Sequence, residues 1–277
     1  MKASPAPTPT QIMGVLNVTP DSFSDGGQFT TVDAAVAHAV EMVEQGANIV
    51  DVGGESTRPG AAPVDTKTER KRVLPVVREL VARGIPVSID TRRARVALAA
   101  VEAGAQLIND VSGGLSDSEM PRVVADTGVL YAVMHWREGG ADAVPSYRNV
   151  VTEVRRELKG RIAALIVEGV RPEQIIIDPG LGFGKSAEHN WQLLGHLPQL
   201  ASLGHGVLVG ASRKRFLGDL LPERAGVDRG VEQRDAPTAV ISALAARSGA
   251  WAVRVHDVAG TRLALDVWEH WRAGAGT

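Results

Sequence analysis

Residues 48–60 read Asn48-Ile49-Val50-Asp51-Val52-Gly53-Gly54-Glu55-Ser56-Thr57-Arg58-Pro59-Gly60, and the change of character half-way along decides the fold. The apolar, β-branched run is of the kind that forms a strand buried on both faces. It empties into paired glycines, hydroxyls and an arginine, a composition suited to a loop whose backbone approaches a ligand closely. The same grammar recurs at 12–16, 87–89, 107–108, 129–134, 175–177, 207–209 and 251–253, which with 49–52 makes eight runs.

Between the runs lie helix-like segments at 33–45, 94–103, 150–168, 236–247 and 261–271. The clearest of all carries Val73, Val76, Val77, Leu80 and Val81 in one apolar stripe, with Thr66 and Glu69 expected to form its capping box. Gly46, Gly84, Gly104, Gly128, Gly169, Gly204 and Gly249 each stand where a helix should end. Alternating strands and helices require parallel strands with helical crossovers, and eight such units fit a closed (β/α)8 barrel. An open doubly wound sheet is the structural alternative. It would offer a glycine-rich turn after its first strand, where this chain has Asn17-Val18-Thr19-Pro20-Asp21. The expected organisation is one α/β domain over 11–272, with a flexible lead-in at 1–10 and a flexible tail at 273–277.

The chain has 277 residues, 44% of them hydrophobic, and a net charge of -2, so a polyanionic partner such as nucleic acid is not indicated and any basic site must be local. No cysteine is present, which excludes disulfides, thiolate catalysis and Cys-ligated zinc and is compatible with a cytoplasmic location. No apolar run is long enough to span a membrane.

In a parallel barrel, ligands gather where the strands end, and here those positions are polar: Asn17, the 53–59 loop, Asp90-Thr91, Asn109-Asp110, His135, Asp178, Ser212-Arg213-Lys214 and 254–257. Strand ends meet water and helices need N-caps, so any single Asp or Asn has a bland explanation. The chemical sorting does not. Carboxylates and a carboxamide (Asp90, Asn109, Asp178) occupy central strands, while Lys214, Arg254 and His256 occupy the last two. The first group suits the amino-pyrimidinone edge of a heterocycle, the second a phosphate or carboxylate. Lys185 reads either as a functional cation or as a surface residue at a helix start. The string 179–186 nearly spells a nucleotide-binding loop, but Pro179 stands where the first glycine is required, so a nucleotide is not expected. His38, His189, His196 and His205 read as surface or packing residues, and any metal is expected to be hard and phosphate-bound, with Asn17 as an oxygen ligand. Two loops, 18–30 and 53–66, carry Phe23, Arg58 and Pro59 and have the composition of lids.

Taken together, MGVLNVTPDSFSDGG from Met13, VDVGGESTRPG from Val50, SIDT from Ser88, INDVSGG from Ile108, DPGLGFGK from Asp178, GASRKRFLG from Gly210 and RVHD from Arg254 resemble the dihydropteroate synthase family of pterin-binding barrels. The resemblance implies a dihydropterin hydroxymethyl diphosphate and 4-aminobenzoate as substrates, Mg2+ as cofactor, and a homodimer. It implies that Asp90, Asn109, Asp178 and Lys214 hold the pterin, with Asn17, Arg254 and His256 at the diphosphate and its magnesium. Thr57 and the two lid loops would complete the aminobenzoate site, and Phe183 and Ser212 lie in matching motifs beside the substrates. Arg215 stands where some members carry a small hydroxyl residue, which leaves the aminobenzoate carboxylate's partner open. The alternatives are a methyltetrahydrofolate-corrinoid methyltransferase, which needs no cationic half, and a non-catalytic pterin-binding paralogue.

Overall fold

The structure, a computed structural model, describes residues 9–19, 31–55, 64–137, 146–220 and 230–275. All eight apolar runs become strands: β1 Gln11–Asn17, β2 Ile49–Gly53, β3 Val87–Asp90, β4 Leu107–Asp110, β5 Leu130–Met134, β6 Ile175–Asp178, β7 Gly206–Val209 and β8 Ala252–Val255. They pair in sequence order, every pair parallel, and β8 closes onto β1. The first four helices of the surrounding layer are α1 Thr31–Glu44, α2 Thr66–Ala82, α3 Ala94–Glu102 and α4 Met120–Thr127. Next come α5 Val150–Val167, α6 Ala187–Gly195, α7 Leu197–Ala201 and the single turn α8 Arg215–Gly218, then α9 Asp235–Arg247 and α10 Val258–Gly274. Among the described residues no helix is long and apolar enough to cross a membrane.

All seven punctuating glycines adopt positive φ, between 73° and 107°, the conformation that ends a helix cheaply only without a side chain. The expected capping box of α2 is not what forms. Asp65 stands one residue earlier with extended backbone, and its carboxylate accepts from Thr68 N at 2.9 Å. Glu69 is instead buried and pairs with Arg93 at 2.7 Å. The last helix begins three residues before the expected position, because Asp257 accepts from Gly260 N at 3.0 Å and so supplies the cap. At the chain's front, Thr10 is already seated, its hydroxyl donating to Ala250 O at 2.8 Å.

Strand alternation divides the buried residues into two sets. One set, including Ile12, Leu16, Val50, Val52, Ile89, Ile108, Val133 and Ile177, packs outward against the helices. The other forms a small separate cluster of Met13, Leu107, Ala132, Ile176, Leu208 and Ala252, which fills the barrel's interior as an apolar floor. Two residues further along, the same inward face carries Val15, Asn109, Met134, Asp178, Gly210 and Arg254, so three of the six are polar. The polar layer therefore rests on a dry, packed base.

Candidate active site

Register sets the level of the site. Asn17 pairs with Gly53, Gly53 with Asp90, and Asp90 with Asn109, so four consecutive strands end at one height. A β-carbon on Gly53 would stand 3.7 Å from both Asn17 Oδ1 and Asp90 Oδ2. The absence of a side chain there keeps open the space these two oxygens share.

One step deeper, Asp51 is fully buried and joins the two halves of the mouth. Its Oδ2 accepts from Asn109 Nδ2 at 2.9 Å and from Arg254 Nε at 2.6 Å, while Arg254 Nη2 donates to Asp90 Oδ2 at 2.7 Å. Arg254 Nη1 makes no hydrogen bond among the described residues and is left for a ligand. Burial alone would depress Arg254, but the charges of Asp51 and Asp90 outweigh it and keep the guanidinium protonated. Burial pushes the Asp90 carboxyl up to about 7 against the pull of Arg254, with the Asp51 charge adding to the rise.

Opposite this cluster, Asp178 is buried with Oδ1 accepting from Gly180 N at 2.6 Å. Its Oδ2 lies 3.7 Å from where a β-carbon on Gly210 would be and makes no hydrogen bond among the described residues. Burial raises this carboxyl too, opposed by the Lys214 charge. Lys214 Nζ donates to Leu181 O and sits 4.8 Å from the centroid of the Phe183 ring. Burial lowers Lys214 to about 8, with Asp178 pulling the other way.

The turn that delivers Lys214 is built by its neighbours. Arg213 adopts a left-handed φ of 58°, uncommon outside glycine, and is held there by paired bonds of 2.8 Å to both Asp235 oxygens and by Arg234 Nη1 donating to its carbonyl at 2.9 Å. Ser212, buried beside it, turns to His256: Oγ accepts from His256 N at 3.1 Å and lies 2.9 Å from Nδ1. Its role in the geometry is to orient His256.

The structure thus brings Asn17, Asp90, Asn109, Asp178, Phe183, Ser212, Lys214, Arg254 and His256 to one end of the barrel. Phe23, Thr57, Arg58 and Pro59 lie outside the described residues. Arg215 is exposed at the start of α8. Sequence reasoning missed Asp51, although an acid inside an otherwise apolar strand was the available signal. It left Lys185 open, and the structure buries it against His135 and the 180–185 turn.

Comparison with known proteins identifies the family. The family described as pterin binding enzyme matches residues 13–256. The dihydropteroate synthase of Mycobacterium leprae is 53% identical over 95% of this chain and 94% of its own. The chain belongs to the dihydropteroate synthases. A solved dihydropteroate synthase from Xanthomonas albilineans, with 4-aminobenzoic acid, superposes with a TM-score of 0.88 at 47% identity over 96% of this chain and 94% of that one. A structure of that organism's enzyme with 7,8-dihydropteroate gives 0.85 at 45% identity, with the same coverage. Dihydropteroate synthases are transferases of folate biosynthesis, in keeping with a site that offers binding groups and cations.

Proposed function

We propose that the barrel mouth carries out the dihydropteroate synthase reaction in two halves, with the Asp and Asn side holding the pterin and the cationic side receiving the diphosphate. The reaction moves the dihydropterin-6-ylmethyl group from its diphosphate to 4-aminobenzoate. The methylene C–O bond breaks with its electron pair leaving on diphosphate, the arylamine nitrogen forms the new C–N bond, and that nitrogen sheds one proton. An arylamine is a neutral nucleophile already, so the demand falls on the departing charge.

The observation that carries this reading is the set of ligand-facing groups left over once the protein's own bonds are made. Asp178 Oδ2 and Asn109 Oδ1 make no hydrogen bond among the described residues, on side chains otherwise pinned by Gly180 N and Asp51. A carboxylate and a carboxamide oxygen at the same barrel mouth accept the N–H groups of an amino-pyrimidinone. Lys214 lies within the field of Asp178. Arg254 Nη1 and His256, oriented by Ser212, face the leaving diphosphate. Phe183 closes over Lys214, and 4-aminobenzoate is assigned to Thr57, Arg58, Pro59 and Phe23 from the resemblance alone, since these four lie outside the described residues.

Magnesium belongs to the same proposal. Among the described residues no group of three or more His, Cys, Asp or Glu is arranged to hold a metal. The oxygen-lined space over Gly53 fits a hard cation that keeps its waters and takes phosphate oxygens. Asn17 would hold it there, and when bound it would neutralise charge on the diphosphate. A second copy of this chain is the proposed partner. Helices α9 and α10 pack together yet expose Val240, Leu244, Leu263, Val267 and Trp271, the last 75% exposed, which suits burial in a dimer.

Magnesium-dependent pyrophosphate release from the pterin diphosphate, with and without 4-aminobenzoate, tests the activity. Release coupled to dihydropteroate is the expected result; pterin binding without product would leave a silent binding barrel. Sedimentation at micromolar concentration tests the dimer, and a monomer would count against the α9–α10 surface.

A further inference from the structure

Lys185 stands one turn away from the site and no step above uses it. Its ammonium has three N–H donors and no acceptor. The structure supplies three acceptors, Gly180 O at 2.9 Å, Phe183 O at 3.0 Å and His135 Nδ1 at 3.0 Å. The third bond requires His135 to carry its proton on Nε2, which lies 2.9 Å from Glu157 Oε2. Glu157 is itself fixed by Arg137, at 2.6 Å and 3.0 Å, and Arg137 reaches Glu153 and covers the Tyr147 ring. Burial, then the Lys185 charge, lowers His135 to about 4, so the imidazole stays neutral and its acceptor nitrogen stays available.

The turn that this clamp spans has little rigidity of its own. Gly180, Gly182 and Gly184 all take positive φ, at 68°, 75° and 55°, and a β-carbon on Gly180 would fall 2.2 Å from His135 O. Side chains are excluded where the turn needs stiffness, so an outside group must provide it. Lys185 ties the turn's first carbonyl to its fourth, and the residues between them hold Lys214: Leu181 through its carbonyl, Phe183 through its ring.

We propose that Lys185 is a positioning residue, its ammonium clamping the 180–184 turn between β6 and α6 so that Leu181 O and the Phe183 ring hold Lys214 in place for the pterin. This deepens the synthase reading and rests on it. The charged groups around Lys185 are Lys214 from the β7–α8 turn, Asp178 from β6, Arg137 beyond β5 and Glu157 from α5, with the titratable but neutral His135 beside them. Burial and then Lys214 lower Lys185 to about 7, with Asp178 opposing. Loss of its proton removes the third donor, and the clamp loosens as pH rises through that value.

The sign of this effect separates positioning from scaffolding. In the unfolded chain a lysine keeps its proton to roughly pH 10.4. Between about 7 and that value the unfolded state binds more protons than the folded one, so this group makes folding stability rise with pH. Pterin affinity should fall over the same interval.

The probe is 6-hydroxymethyl-7,8-dihydropterin, which lacks the leaving group, titrated calorimetrically between pH 6 and pH 8. Lys185→Met should weaken binding about tenfold at pH 6 and flatten the pH dependence. His135→Phe, which removes the acceptor, should do the same, while His135→Asn, which restores one, should stay within about threefold of wild type. The double variant Lys185→Met/His135→Phe should be no weaker than Lys185→Met alone, because both changes open one clamp. Wild-type affinity in Lys185→Met, or an affinity loss that merely follows the melting temperature of each variant, overturns the inference. Failure of the wild-type enzyme to form dihydropteroate would instead remove the synthase reading on which it rests.

Discussion

Asp51→Asn is the sharpest single probe of the site, because one oxygen of this fully buried carboxylate serves both halves. Oδ2 accepts from Arg254 at 2.6 Å and from Asn109 at 2.9 Å, and Oδ1 has no partner among the described residues. An asparagine keeps a carbonyl oxygen for the two donors but loses the charge, and its amide group falls where Oδ1 was. Hydrogen bonds to ionised groups contribute about 1.5–3 kcal/mol and neutral ones about 0.5–1.5, so the Asn109 bond weakens by roughly 1–1.5 kcal/mol, and the Arg254 bond, still charged on its donor side, loses its ion pair at about the same cost. One bond orients Asn109, the proposed pterin partner, and the other Arg254, proposed to face the diphosphate, and on that proposal both act in the transition state. Their combined loss, about 2–3 kcal/mol, predicts a fall in kcat/KM of roughly 100-fold. The stranded amide donor adds to the folding cost, and a drop in Tm of several degrees is expected for a chain of this size. Steady-state pyrophosphate release and thermal unfolding read the two effects separately. A variant that melts and turns over like wild type would refute the claim that Asp51 couples the halves.

Asp178→Ala removes the carboxylate opposite Lys214 and should weaken pterin binding by at least about tenfold in calorimetry; unchanged affinity would reject that assignment. Arg254→Ala should lower kcat more than it raises the KM for the pterin substrate, and the reverse pattern in steady-state kinetics would argue against a leaving-group role. Two groups beside the 180–184 turn add acid sensitivity. His135, lowered to about 4 by burial, binds a proton in the unfolded state first, so its own contribution to stability falls as pH drops from about 6.5 to 4, while Asp90, raised by burial to about 7, contributes in the opposite sense over much of that range. Glu157 follows: burial would raise it, but the bonds from Arg137 and His135 prevail and bring it to about 2, so its contribution is present above about 4.5 and lost between there and 2. In denaturant titrations Glu157→Gln should lose less stability than wild type between about pH 4.5 and 3. Glu55, which burial would raise but Arg93 and Arg92 lower, and Glu153, lowered by the Asn149 N–H and by Arg137, contribute in both proteins, and an equal loss in the two would sink the attribution to Glu157.

Most of the frame and half of the site were legible because their signals are local. A β-branched run closed by a polar residue announces a strand and its ligand-facing end, and a glycine announces the helix stop before it. That was enough to reach Asp90, Asn109, Asp178, Lys214 and Arg254. The clamp was not legible, since its members lie 50 and 22 positions apart on three elements and have no spacing of their own. Asp51 failed for a different reason: it sits inside the run that identified β2, and the apolar context masked an acid whose partner is near the other end of the chain. The α2 cap was misread by one residue because Asp65 and Thr66 are both good capping residues, and only the backbone conformation decides between them.

The bond from Arg254 to Asp51 also imposes an order on biosynthesis. The guanidinium that neutralises Asp51 and Asp90 is encoded 203 and 164 residues after them. At roughly 5–20 residues per second, a ribosome spends about 10–40 s between making Asp51 and making its counter-ion. Through that interval the nascent first half carries two carboxylates that resist entry into a dry interior. The two acids of β2 and β3 therefore meet their counter-ion only when the eighth strand, which also closes the barrel, has been made.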